Sequence, residues 1–207
     1  MIAALVLMLF SGVLSQDEKP PLTMTYIKYR LEGPGLSKIG QMPKELWRIG
    51  DFDMRTLEPA DTAKKIWPLI IYTPPDFWII NLFDSTGRHS VNPGPTYESY
   101  APIFSFRKEE SFMQLQFGFE KRFLSDYFID LTESKVSDGM EVDVYNFELV
   151  DAKISMLFNK KTQAPISATA VIDTMTYKVI YEEYMTGLAP ESALFFPPVP
   201  DRISEMR

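Results

Sequence analysis

The chain has 207 residues, of which 45% are hydrophobic and 14% aromatic, enough to bury the core of one domain. Its 21 basic and 28 acidic residues give a formal net charge of −7, and no Lys/Arg cluster interrupts this acidic balance, which argues against a nucleic-acid partner. The absence of cysteine excludes disulfides, thiolate metal sites, a cysteine nucleophile and the cysteine on which a bacterial lipoprotein carries its lipid.

The N-terminus predicts a secretory signal. Residues 1–14 are uncharged and apolar almost throughout, and Ser15 follows them just ahead of the polar run 16–19. We therefore expect a signal peptide over residues 1–15 and a single mature domain over residues 16–207. The apolar run is shorter than the roughly 20 residues of a membrane-spanning helix. No Lys or Arg precedes it, and an uncleaved N-terminal anchor is the alternative.

The first half of the mature chain predicts several strands and one short helix. Apolar and polar residues alternate over 23–31, 45–57 and 77–83, as in half-buried strands. Residues 84–87, Asp-Ser-Thr-Gly, give a hairpin turn signal after the third of these. Residues 61–67 predict a short helix, because an aspartate at its start could cap it.

A helix and a strand both fit residues 109–122. Phe112, Leu115 and Phe119 would share one helical face, whereas apolar residues at every second position also fit a strand. We predict a helix. Its charged residues, Glu120 among them, are interpreted as an exposed helix surface.

A second block of strands follows residue 138. Alternation recurs over 140–144, 154–158 and 177–181, and a polar turn occupies 159–162, so the block predicts an antiparallel meander. Few helices and many strands indicate the α+β class with one large antiparallel sheet. We expect the sheet to be curved and to carry Trp47 and Trp78 on neighbouring strands.

Catalytic patterns are not found in the sequence. The single histidine, His89, follows the hairpin turn and is interpreted as a solvated loop residue. No Gly-x-Ser-x-Gly elbow or glycine-rich phosphate loop occurs. Asp51 with Asp53, and Glu141 with Asp143, are spaced as on one strand face, and we interpret both pairs as solvated. A serine brought beside His89 by the fold is the alternative that composition leaves open. We expect no enzyme, no metal and no cofactor.

Several aromatic segments follow one another in a recognisable order. They are Glu45-Leu46-Trp47, then Asp76-Phe77-Trp78-Ile79-Ile80 before a turn, then Tyr100-Ala101-Pro102-Ile103-Phe104 before a helix, then Tyr181-Glu182-Glu183-Tyr184 and finally Leu188 to Pro198 with its Phe195-Phe196-Pro197-Pro198 ending. This order resembles the periplasmic outer-membrane lipoprotein carrier family with the LolA/LolB-like fold, over nearly the whole mature chain.

The resemblance implies an incomplete β-barrel, a strongly curved antiparallel sheet with short lid helices over its open side. An apolar cavity between sheet and lid would then receive acyl chains. The 15 Phe, 10 Tyr, 3 Trp and 11 Met supply apolar surface for such a cavity, although the same side chains could instead fill a closed core. The candidate cavity residues are Trp47, Phe52, Met54, Trp78, Ile80, Phe104, Leu115 and Phe119.

Two arginines are candidates for contact with the lid. In the carrier family an arginine near the Leu-Trp strand holds the lid closed, and here Arg48 and Arg55 lie nearby without matching the family's register. A solvated surface arginine is the alternative for each. Because the chain lacks cysteine, the resemblance implies the soluble kind of carrier and not the lipid-anchored kind.

The sequence leaves two classes of function. The first is a periplasmic, monomeric carrier or binder of lipidated or other hydrophobic molecules, whose partners are a lipidated protein or a lipid-like ligand and an envelope membrane protein. The second is an envelope sensor or protein-interaction module on the same fold. Neither class requires a cofactor or nucleic acid.

Overall fold

The computed structural model describes residues 22–95, 97–198 and 202–205. The predicted signal peptide, residues 1–15, lies outside these ranges. Within them, no helix has the length and apolar character needed to cross a membrane.

Strands dominate the described chain. They are β1 Met24–Glu32, β2 Lys44–Ile49, β3 Asp53–Leu57, β4 Pro68–Thr73, β5 Asp76–Asn81, β6 Thr86–Val91, β7 Glu133–Ser137, β8 Met140–Leu149, β9 Ala152–Asn159, β10 Pro165–Ile172, β11 Met175–Leu188 and β12 Arg202–Glu205. The helices are α1 Glu110–Gln114, α2 Glu120–Asp126 and a 3-10 helix over Ser192–Phe195.

These strands form one sheet in the order β12-β6-β5-β4-β3-β2-β1-β11-β10-β9-β8-β7. Pairing is antiparallel throughout, except that β12 runs parallel to β6. The edge strands β7 and β12 do not pair with each other in the described chain, so the sheet is open. The class predicted from the sequence, α+β with one large antiparallel sheet, is confirmed, and β8 to β11 form the predicted meander.

In β9, alternation decides which side chains are buried. In β9, Ile154, Met156 and Phe158 are buried, while Lys153 next to Ile154 is exposed. Such a period of two places successive side chains on opposite faces of the sheet. We call the face that carries these three buried residues the inner face, because both α-helices lie over it.

The main core lies between the inner face and the helices. Its strand residues come from β1 to β4 and from β8 to β11, and its helical side includes Phe104, Phe112, Leu115, Phe123 and Leu124. Eight strands lying flat would span roughly 34 Å at about 4.8 Å per strand, whereas α2 has only 7 residues. Residues from both halves of the sheet and from both helices belong to this one core, which fits a sheet that curves around the helices.

Smaller clusters lie on the other, outer face. Near its middle, Met24 and Ile49 pack against Phe195 of the 3-10 helix. The Thr73 hydroxyl donates a hydrogen bond of 3.3 Å to the Phe195 carbonyl. Farther along, residues of β4 and β5 form a separate buried group that includes Ile80. The 3-10 helix that follows β11 therefore packs on the outer face.

Local predictions are confirmed in part. The expected hairpin after residue 83 joins β5 to β6. The predicted strand over 45–57 is two strands, β2 and β3, separated by a turn at Gly50, whose φ is +57°. The predicted helix over 61–67 is wrong, since Asp61 and Ile66 close a turn through a β-bridge. The Asp61 side chain instead accepts a hydrogen bond from the Lys64 amide inside that turn.

Two longer-range predictions need correction. The stretch 109–122 is not one helix, because α1 ends at Gln114 and α2 begins at Glu120. Trp47 and Trp78 do not lie on neighbouring strands, since β3 and β4 separate β2 from β5. Sequence alternation locates strands but contains no information about their order.

The burial pattern predicts where an aromatic side chain matters for stability. Phe158 on β9 is fully buried, whereas Phe128 after α2 is 91% exposed. We expect Phe158→Ala to lower the free energy of unfolding by about 3–5 kcal/mol because it opens a cavity in the core. Phe128→Ala, the matched control, should change it by less than about 0.5 kcal/mol. Urea denaturation followed by circular dichroism measures both, and equal effects would contradict the assignment of the core.

Candidate functional site

A single segment, residues 99–129, covers the inner face of the sheet, and we call it the covering segment. It contains α1 and α2 and is folded on itself by two backbone hydrogen bonds of 2.9 Å, from the Ile103 amide to the Leu115 carbonyl and from the Phe117 amide to the Ala101 carbonyl. Its buried apolar side chains, among them Phe104, Phe112 and Leu115, belong to the main core. The Phe117 ring lies 4.0 Å, centroid to centroid, from Tyr29 of β1.

Arg48 on β2 holds this segment to the sheet. Its side chain is on the inner face and the residue is only 1% exposed. The guanidinium donates hydrogen bonds of 2.7 Å to the Phe117 carbonyl and of 3.3 and 3.2 Å to the carbonyl and hydroxyl oxygens of Ser99. Burial lowers the pKa of Arg48 to about 10, so it remains a cation at neutral pH. Both ends of the loop between Ser99 and Phe117 are thus fixed by one side chain.

An aromatic ring and a second arginine extend this contact. The Phe119 ring lies between the guanidinium groups of Arg48 and Arg122, each 3.7 Å from its centroid. Arg122 also forms an ion pair of 2.8 Å with Asp51 in the β2–β3 turn. The Asp51 carbonyl accepts hydrogen bonds from the Ser99 amide and hydroxyl. Cation–π contacts and charged hydrogen bonds therefore join the β2–β3 turn to the covering segment.

The close approach of Arg48 requires glycine at position 118. Gly118 has φ of +83°, in the left-handed region that favours glycine, and a Cβ there would lie 2.9 Å from the Arg48 Cδ atom. Backbone conformation and space therefore both disfavour a larger residue.

A buried carboxylate anchors the start of α2. Glu120 is 1% exposed and accepts hydrogen bonds of 2.9 Å from each of the Tyr181 and Tyr184 hydroxyls of β11 and of 3.0 Å from the Gly118 amide. Burial raises its pKa, although these donors oppose the shift. Burial and the nearby Glu120 charge also raise the pKa of both tyrosines. The prediction that Glu120 lies on an exposed helix surface is therefore wrong, because α2 turns this residue toward β11.

A cavity of about 230 Å³ lies beside this anchored region, between residues 100–105 and the inner face of β1 to β4. Its apolar wall consists of Leu31, Leu46, Met54, Ile70, Ile103 and Phe117. Lys44 and Glu58 line its polar end and form an ion pair of 2.6 Å. The volume is below the roughly 300–1,000 Å³ typical of ligand pockets, so the covering segment is packed closely onto the sheet.

Some predicted site residues lie on the inner side of the sheet. Met54 lines the cavity, while Phe104 and Leu115 belong to the covering segment and are buried in the main core. Phe119 contacts both arginines described above. Arg48, one of the two candidate lid contacts, is buried against the covering segment and is not a solvated surface residue.

Other predicted site residues lie elsewhere. Trp47, Trp78 and Ile80 belong to the outer face, because each follows or precedes an inner-face residue along its strand. Phe52 is in the β2–β3 turn and 53% exposed. Arg55 stacks over Trp47 on the outer face, 4.4 Å from its ring. The predicted residues therefore do not line one cavity, since alternation cannot tell which face of a strand is the inner one.

His89 needs the same kind of correction. It is a residue of β6, stacked on Trp78 at 4.0 Å and 2.6 Å from the Asp76 carboxylate, and not part of a solvated loop. In the described ranges, no group of three or more His, Asp and Glu side chains is arranged to hold a metal ion.

Sequence reasoning missed several polar residues of the site. They are Lys44, Glu58, Ser99, Tyr181 and Tyr184, all placed by pairing between distant parts of the chain. One local signal could have indicated some of them: a charged residue at a position where alternation predicts a buried one. Lys44 and Arg48 are such residues, since they share the strand face of Leu46 on β2.

Comparison with known proteins identifies the fold but not the ligand. No protein-family model and no curated sequence matches the chain. An uncharacterized conserved protein from Thermus thermophilus is similar in structure, with a TM-score of 0.52 and 7% identity, over 88% of this chain and 90% of that one. This similarity shows a shared fold.

Two further structures are similar at lower scores. A LolA superfamily protein, NE2245 from Nitrosomonas europaea, has a TM-score of 0.36 and 10% identity, over 85% of this chain and 90% of that one. MucB in the Pseudomonas aeruginosa MucA/MucB complex has a TM-score of 0.47 and 13% identity, over 84% of this chain and 56% of that one. A LolA superfamily protein is thus among the solved structures that are similar to this chain.

The contact between Gly118 and Arg48 predicts a large effect of a small substitution. Gly118→Ala forces alanine into a left-handed conformation, which costs about 1–2 kcal/mol, and also pushes its methyl group against Arg48. Gly139→Ala is the matched control, because Gly139 has φ of +77° but no atom lies within 4 Å of the position that an added Cβ would occupy. We expect the larger loss of stability, and faster hydrogen exchange confined to residues 99–129, for Gly118→Ala. Equal losses would contradict the steric explanation.

The raised pKa of Glu120 predicts a pH-dependent stability difference. Above its ordinary value of 4.5 the unfolded chain releases this proton while the folded protein retains it, so the wild type loses stability as pH rises toward the folded-state pKa. The Glu120→Gln variant has no carboxyl group at this position and therefore lacks this loss of stability. The free energy of unfolding of Glu120→Gln minus that of the wild type should increase with pH above about 4.5, by at most about 1.4 kcal/mol per pH unit.

Urea denaturation at a series of pH values measures this difference. Glu110→Gln, an exposed change on α1 with the same loss of charge, is the control and should follow the wild type. A stability difference between Glu120→Gln and the wild type that does not vary with pH would contradict the assignment.

Proposed function

We propose that the protein is exported to the periplasm and there carries or binds lipidated or other hydrophobic molecules without catalysis. Acyl chains would lie between the inner face and the covering segment, with the sheet acting as an incomplete barrel and α1 and α2 as its lid. One observation supports this proposal. The covering segment packs with apolar side chains on the inner face of the sheet, Arg48 binds it there through hydrogen bonds, and a cavity lies beside these bonds.

The two kinds of contact in this interface suit reversible opening. Apolar contacts between the covering segment and the sheet are non-directional, so an acyl chain can replace them with similar burial of apolar surface. Hydrogen bonds from Arg48 and to Glu120 are directional and are made in one position only. The protein would therefore have a defined closed state and a more open state that a ligand can stabilise.

The size of the cavity sets the cost of binding. At about 230 Å³ it is too small for a bulky ligand unless the covering segment moves outward. The apparent affinity is then the affinity of the open state multiplied by its population. Modest affinity suits a carrier, which has to release what it binds.

This proposal also defines the partners. We expect a monomer that binds a lipidated protein or a lipid-like ligand, exchanges it with an envelope membrane protein, and needs no cofactor. Mass spectrometry of protein extracted from its native envelope should detect retained acyl-chain molecules. A stable protein partner in the absence of lipid would instead favour the sensor or interaction module.

Loss of the Arg48 hydrogen bonds should favour the open state. Hydrogen bonds to charged groups contribute about 1.5–3 kcal/mol each, so Arg48→Leu should strengthen binding of a fluorescent fatty-acyl probe by about tenfold or more and lower thermal stability. Arg55→Leu is the matched control, because Arg55 lies on the outer face over Trp47.

Fluorescence titration of both variants measures the effect. Arg55→Leu should bind the probe as the wild type does. The proposal is lost if the wild type binds no probe, and the role of Arg48 is lost if folded Arg48→Leu binds no more tightly than Arg55→Leu.

A further inference from the structure

A largely buried ion pair lies at the polar end of the cavity. The Lys44 side chain is 16% exposed and the Glu58 side chain 26%, and their charged atoms are 2.6 Å apart. Both residues lie on the inner face, because they continue the alternation of Leu46 along β2 and of Thr56 along β3. Leu46 and Thr56, the next inner-face residues along these strands, line the cavity beside the pair. An apolar wall and a pair of opposite charges thus meet in one place.

A second hollow begins at the same ion pair. It has a volume of about 310 Å³, is lined by residues of the 37–40 and 58–68 segments, and shares Glu58 with the cavity. Asp61 and Lys64 give it a further pair of opposite charges, 3.6 Å apart. The Lys44–Glu58 pair therefore lies where the cavity and this second hollow meet.

The charges of Lys44 and Glu58 determine which lipid headgroups can bind at this ion pair. A molecule that passes between Lys44 and Glu58 breaks their ion pair, and an unpaired, largely buried charge is unfavourable. A neutral headgroup leaves both charges unpaired. An anionic headgroup pairs with Lys44 but is repelled by Glu58. A headgroup with one positive and one negative charge pairs with both residues, so no charge is left without a partner.

The cavity volume limits how many acyl chains a ligand can place there. About 230 Å³ is below the range of ordinary ligand pockets, so partial opening suits one acyl chain better than two. We infer that this protein, if it is the carrier proposed above, binds single-chain zwitterionic amphiphiles of the lysophospholipid class. The tail lies against Leu46 and Met54, and the headgroup replaces the Lys44–Glu58 ion pair.

Three chain-matched ligands test the inference: myristoyl lysophosphatidylcholine, myristate and monomyristin. Isothermal titration calorimetry with the full mature chain should give the tightest binding for the lysophosphatidylcholine, by about tenfold over either of the others. Glu58→Gln should remove this preference and favour myristate, because Lys44 then faces an anion without opposition. Lys44→Met should weaken binding of the lysophosphatidylcholine.

A second ion pair supplies the control. Lys135 and Glu133 on edge strand β7 are also 2.6 Å apart, but both are about half exposed and far from the cavity in the strand order. Lys135→Met should keep the wild-type preference. Equal wild-type binding of all three ligands, or a preference unchanged in folded Glu58→Gln, overturns the inference and leaves the proposed function standing. No binding of any of the three overturns both.

Discussion

The arrangement of this protein depends on one buried cation. Arg48 lies on the inner face of the sheet, where an unpaired charge would be strongly unfavourable. It is accommodated because the covering segment presents the Phe117 carbonyl and both oxygens of Ser99, while the Phe119 ring lies over the guanidinium. If the covering segment moved away, Arg48 would lose these hydrogen-bond acceptors. Arg48 therefore fixes the position of the covering segment on the sheet.

The neighbouring Glu120 gives the same segment a second polar attachment. Its carboxylate is bound by two tyrosines of β11, whereas Arg48 belongs to β2, so the covering segment is held to strands on both sides of β1. Between these attachments the contacts are apolar and non-directional. An interface of this composition fixes one position of the covering segment through its polar contacts, while its apolar contacts depend on no particular geometry.

Much of the fold was predictable from local pattern. The strands β1, β5, β8 and β9 lie where the sequence alternates between apolar and polar residues, and in β9 burial alternates in the same way. The β2–β3 turn was missed, since both strands continue one alternating pattern across Gly50. The turn at Asp61 was mistaken for a helix because an aspartate stabilises the first turn of a helix and a tight turn by the same side-chain hydrogen bond.

The sequence by itself determined that this chain forms an antiparallel sheet with few helices, because period-two burial and turn residues act over neighbouring positions. It also identified Arg48 as a candidate contact with the helical segment. Only the tertiary structure decided which strand face is the inner one, separating Met54 from Trp47 and Trp78, and brought Glu120 to Tyr181 and Lys44 to Glu58. Those relations depend on strand order and on long-range packing, and alternation is the same whichever face of a strand is turned inward.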